Sequence, residues 1–160
     1  MTDRDGGPGR ELVLVAGLSP ADAALVHREA LRVLRPGMDA AHLDAYSDGP
    51  WPAAVLPSLE SALSLAREAV TAGRRSRRDD PGMGIDIDVR DDAQFEVLVD
   101  LAPHTIHAEG SRQGRPVFSA GDSGTSLWTA LSPEQEAQLL NRLNALGIPS
   151  TVLAVRRPGG

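Results

Sequence analysis

Residues 84–101 read GIDIDVRDDAQFEVLVDL, and the fold of the middle of the chain turns on them. Ile85, Ile87 and Val89 alternate with Asp86, Asp88 and Arg90. Phe95, Val97, Val99 and Leu101 then alternate with Gln94, Glu96, Leu98 and Asp100. Successive side chains of a strand point to opposite faces, so residues two apart line one face and their neighbours the other. Two such runs, Gly84–Arg90 and Gln94–Leu101, joined at Asp91-Asp92, predict an antiparallel hairpin. The hairpin would set an oily face against a carboxylate face made of Asp86, Asp88, Glu96 and Asp100. Like charges at the cross-strand spacing of about 4.5–5.5 Å repel. Such a face therefore expects a cation or a basic protein partner.

Outward from this stretch the signals are local. Glu11–Gly17 reads as a strand, apolar on both faces through Leu12 to Val15. Ser19 is an N-cap and Pro20 a first helical residue. Leu31, Val33 and Leu34 belong to the apolar stripe of that helix, which ends at Pro36-Gly37. Met38–Pro52 is rich in turn residues and reads as a loop with at most a short strand. A second helix is predicted over about Pro57–Ala72, then a charged linker, Arg74–Gly82, with arginines at 74, 75, 77 and 78. Further strands are predicted at Thr105–Glu109, Val117–Ala120 and Thr125–Ala130. Ser132-Pro133-Glu134-Gln135 is a capping box that opens a third helix, stopped by Gly147. A last strand follows at Thr151–Val155.

The expected class is α+β, with a mainly antiparallel sheet and three helices. The element order, β-α-α-β-β-β-β-β-α-β, resembles the ferredoxin-like plan with an inserted helix and extra hairpin strands. The expected organisation is a disordered lead over 1–10, one domain over 11–156 and a flexible tail over 157–160. Because the first and last strands are apolar on both faces, the second helix or a partner chain, as in a homodimer, is expected to cover the far side of the sheet.

Composition narrows the function. Hydrophobic residues make up 41% and charged residues 24% of 160, which is globular rather than disordered. Cysteine is absent, which removes disulfides, thiolate nucleophiles and cysteine zinc sites and fits a cytoplasmic protein. The basic residues are all arginine, a skew expected of a GC-rich bacterial genome. A net charge of −6 and only 3% aromatic residues disfavour a nucleic-acid partner. No apolar run approaches the roughly 20 residues of a membrane span.

The candidate partner-binding residues are Asp86, Asp88, Glu96 and Asp100, with Trp51 from the preceding loop. The alternative is a metal site drawn from His42 and Asp44 in loop 38–52 and from His107 and Glu109 on the strand after the hairpin. His104 and His107 are three apart, so a strand sends them to opposite faces. Gly121-Asp122-Ser123-Gly124 resembles the nucleophile tetrapeptide of chymotrypsin-like serine proteases. These are equally the residues of a tight turn, which is the reading adopted. The ending Arg156-Arg157-Pro158-Gly159-Gly160 resembles the tails of ubiquitin-like and sulfur-carrier proteins and is read as a flexible tail. The expected function is a non-catalytic cytoplasmic interaction domain (adaptor, regulator or immunity-type inhibitor) without a cofactor. The alternative is a small metal-dependent hydrolase.

Overall fold

Three of the α-helices among the described residues begin where the sequence supplies a side-chain cap. In the computed structural model, which describes residues 9–156, the Ser19 side chain accepts from the Asp22 N–H and opens α1 (Pro20–Leu34). Ser132 accepts from the Gln135 N–H while the Gln135 side chain accepts from the Ser132 N–H, which opens α4 (Pro133–Ala145). Proline stands in the first turn of both, where its missing N–H costs nothing. Between them lie α2 (Leu56–Thr71) and α3 (Asp92–Leu101).

The strands are β1 (Arg10–Leu14), β2 (Ala40–Leu43), β3 (Ile85–Ile87), β4 (His107–Arg112), β5 (Arg115–Gly121), β6 (Ser126–Leu131) and β7 (Leu153–Val155). They form one seven-stranded sheet in the order β3-β2-β4-β5-β6-β1-β7, with every neighbouring pair antiparallel. The class is therefore α+β with an antiparallel sheet. Residues 1–8 of the expected lead and the tail over 157–160 lie outside the described residues, and Arg10 already belongs to β1.

The predicted hairpin is not formed. Only Ile85–Ile87 is a strand, and Asp92–Leu101 is a helix, so the described chain holds four α-helices rather than three. The order is β-α-β-α-β-α-β-β-β-α-β, which does not reproduce the ferredoxin-like reading. The reason is local. The Asp91 side chain accepts from the Gln94 N–H at 3.0 Å, and Asp92 adds a negative charge at the positive helix end. Phe95, Leu98 and Val99 repeat at helical spacing and are buried, but Val97 and Leu101 are buried too. The helix buries five of its ten residues and exposes Asp92, Ala93 and Glu96; so broad an apolar arc satisfies a period of two as well as one of 3.6, and the cap decides between them.

The core lies on one side of the sheet. Leu12, Ala41, Leu43, Ile85, Ile87, Ala108, Phe118, Ala120, Leu127 and Leu131 face the helices and are buried. Gly110 belongs to the same row because Met38 sits where its Cβ would be, with the sulfur 2.8 Å from that position. The alternate residues face the other way: Asp86, His42, His107, Glu109, Ser119, Ser126, Trp128 and Val13 are half-buried or exposed. Among the described residues no helix covers that face. Val13 lies across from Trp128, whose indole N–H donates to Glu11 at 3.1 Å. Val155, on the edge strand, is 44% exposed.

Candidate functional sites on the open face and the sheet edge

The four carboxylates expected to share one sheet face are dispersed by the new helix. Glu96 lies on α3 and meets Arg32 of α1, with Nη1 2.8 Å from Oε1. Its charge is neutralised by the protein's own arginine. Asp100, at the other end of α3, accepts from Ser58 of α2 at 2.6 Å. Asp86 is exposed on the open face of β3. Asp88 follows β3, and its carboxylate accepts from the Arg90 N–H at 3.0 Å. Trp51 is half-buried and packs against the core instead of standing out from its loop. The carboxylate face as drawn from the sequence does not exist, because Glu96 and Asp100 are not on the sheet.

Asp86 and Asp88 are gathered into a different feature. Among the described residues β3 pairs only with β2, so its outer edge has no strand beside it. A cleft of about 510 Å³ runs between that edge and α2. Its carboxylates come from Glu68, Asp79, Asp86 and Asp88. None of the four is in an ion pair with a basic side chain among the described residues. Of the two arginines lining it, Arg75 is spent on the chain itself: its guanidinium donates to the carbonyls of Asp80, Met83 and Gly84. That clamp is what turns the charged linker back toward β3. Glu68 and Asp79 were not singled out by the sequence, where one reads as an exposed helix residue and the other as linker.

On the open face the structure joins residues that the sequence kept in two separate groups. His42 of β2 stands directly across from Glu109 of β4. His107, two residues before Glu109, lies on the same face by strand alternation. The candidate ligand atoms of His42, His107 and Glu109 all lie within 4.8 Å of one another. His107 Nε2 is 3.6 Å from Glu109 Oε2, and the His42 and His107 ring centroids are 5.6 Å apart. Asp44 does not join them. It is buried and accepts from the Gly84 N–H at 2.7 Å, which pins the loop before β3. His104 lies before β4, half-buried, and burial holds its pKa below the ordinary histidine value.

The Gly121–Gly124 segment is the turn its composition suggests. Asp122, Ser123 and Gly124 all have positive φ. Gly124 admits no side chain, because a Cβ there would run into the Pro103 carbonyl. The Ser123 hydroxyl donates to the Asp48 carboxylate at 3.1 Å and accepts from the Asp48 N–H at 2.9 Å. It is a fastener between two loops. Among the described residues no helix is long and apolar enough to cross a membrane. No protein-family model, curated protein or solved structure matches this chain, so its function rests on the geometry of its own residues.

Proposed function

We propose that this chain is a non-catalytic interaction domain of the adaptor, regulatory or inhibitor kind, which takes an extended basic segment of a protein partner along the β3 edge. One observation carries the reading: among the described residues, an unpaired strand edge lies beside a cleft lined by four carboxylates without an arginine partner. An extended peptide added to such an edge gains main-chain hydrogen bonds, and the neighbouring helix supplies contacts for its alternate side chains. Carboxylates at the rim favour a basic segment and speed its encounter. The partner class is that expected from the sequence, with Asp86 and Asp88 kept and Glu68 and Asp79 replacing Glu96 and Asp100. A cytoplasmic setting suits this reading.

The test uses labelled peptides in which arginine alternates with valine, read by fluorescence anisotropy. Wild type is expected to bind them in preference to peptides in which glutamate replaces arginine. Asp86→Arg with Asp88→Arg is expected to weaken binding about tenfold or more, which is about 1.4 kcal/mol. Glu134→Arg, on α4, leaves it unchanged. Equal binding by wild type and the double variant removes the reading.

The small metal-dependent hydrolase is supported by the gathering of His42, His107 and Glu109, since three protein ligands with open positions are typical of catalytic zinc. The setting weighs against it. An active site needs a concave pocket and an oriented acid or base, and these residues lie on an uncovered strand face.

A further inference from the structure

We infer that His42, His107 and Glu109 form a binding site for one divalent transition-metal ion of the zinc class. This rests on the β2–β4 pairing and is independent of the docking cleft. The antiparallel register sets His42 across from Glu109, and the two-residue repeat of β4 brings His107 to the same side. The Asp44 N–H donates to the His107 carbonyl at 2.9 Å and carries the pairing one step further, so the backbone beneath all three residues is fixed. Side chains held by strands meet an ion more accurately than side chains on loops.

The distances suit a small ion. Imidazole nitrogen and carboxylate oxygen bind zinc at about 2.0–2.2 Å, which puts tetrahedral ligand atoms about 3.3–3.6 Å apart. His107 Nε2 and Glu109 Oε2 already stand at 3.6 Å. The other separations are within 4.8 Å. The three groups are otherwise uncommitted: among the described residues, the contact between His107 and Glu109 is the only ion pair that any of them makes. Two imidazoles and one carboxylate favour zinc, cobalt, nickel or copper, whereas magnesium and calcium prefer all-oxygen sites. Half-exposure of the site leaves at least one position for water or for a donor from another molecule.

The experiment uses the untagged full chain, titrated with zinc chloride by calorimetry and with cobalt chloride by visible absorption. The expected result is one ion per chain, with cobalt bands of four- or five-coordinate intensity. His42→Ala, His107→Ala and Glu109→Gln should each weaken binding at least tenfold, and His42→Ala with His107→Ala should abolish it. Far-ultraviolet circular dichroism and thermal melting verify that each variant is folded. If a double variant fails to fold, the Glu109→Gln titration decides alone. The inference is overturned by absence of stoichiometric binding at micromolar ion, by equal binding in the variants, or by calcium binding in preference to zinc.

Discussion

His27 makes the folded protein acid-labile in a way that one substitution should remove. Its side chain is fully buried in α1, with Nδ1 2.6 Å from the Ala23 carbonyl and the ring edge-on to Phe118. Nδ1–H is therefore the donor, and Nε2 completes no hydrogen bond. Burial is the largest influence and lowers its pKa from 6.5, against the carbonyls of Ala23 and Ser126, which favour the charged ring. A base whose folded pKa is depressed stays neutral in the native state while the unfolded chain takes up a proton. Stability is thus complete above pH 6.5 and is lost as the pH falls through that value. With an unfolded pKa of 6.5, the most this group can cost between pH 7.5 and 5.5 is about 1.4 kcal/mol, the value reached when the buried ring stays neutral throughout. His27→Leu keeps the volume and leaves no orphan, because the Ala23 carbonyl still accepts the helical N–H of residue 27. Urea unfolding of both proteins at pH 7.5, 6.5 and 5.5 gives two stability curves. Their difference isolates His27 from His104 and the carboxylates, which titrate in both. Curves that stay parallel over this range would refute the assignment of a neutral buried ring.

Two further substitutions test the elements that place the sites. Phe95→Ala removes a ring that is 1% exposed and stacked under the Arg35 guanidinium at 4.4 Å, so it should cost about 3–5 kcal/mol in urea unfolding. A loss below about 1 kcal/mol would show that α3 is not fastened as described. Asp44→Ala leaves the Gly84 N–H without its acceptor and should cost about 1–3 kcal/mol. Hydrogen exchange at Gly84 should accelerate, and an unchanged rate would mean that the loop before β3 is held by Arg75 alone.

Local chemistry made the caps legible. Ser19-Pro20 and the Ser132–Gln135 box each declare a helix within four residues, and Gly147, at φ 77°, takes up the left-handed turn after α4. Residues 92–101 differ from their sequence pattern for an equally local reason. The hairpin reading rests on the alternation of Phe95, Val97, Val99 and Leu101 alone, and the three-residue spacing of Asp91 and Gln94, which is that of a cap, does not enter it. Gln94 does not complete the box: its side chain accepts from the Asp88 N–H at 2.8 Å and ties the helix start to the end of β3. The pairing of His42 with Glu109 was not legible at all. β2 is only four residues long, and the register that unites it with β4 is set by tertiary packing. The candidate ligands stand in two groups along the sequence, and only the sheet order brings three of the four together.

The one-sided sheet explains why both sites lie where they do. Every helix is used to bury Phe95, Phe118 and the leucines of a single layer, which leaves the polar residues one face and two edges. Asp86 stands at the junction of the two sites. It lies on the edge strand, and it is also the cross-strand neighbour of His42. A unit charge about 4 Å away is worth about 1 kcal/mol in water-like surroundings and more where the dielectric constant is lower. Reversing Asp86 would therefore disturb a cation bound by His42 as well as a peptide at the edge. Asp88, one residue past β3, lacks that pairing. Asp88→Arg alone should weaken the basic peptide and leave zinc binding unchanged, whereas His42→Ala should do the reverse. If both substitutions moved both affinities together, the edge cleft and the histidine cluster would be a single site, and the division drawn here between them would be wrong.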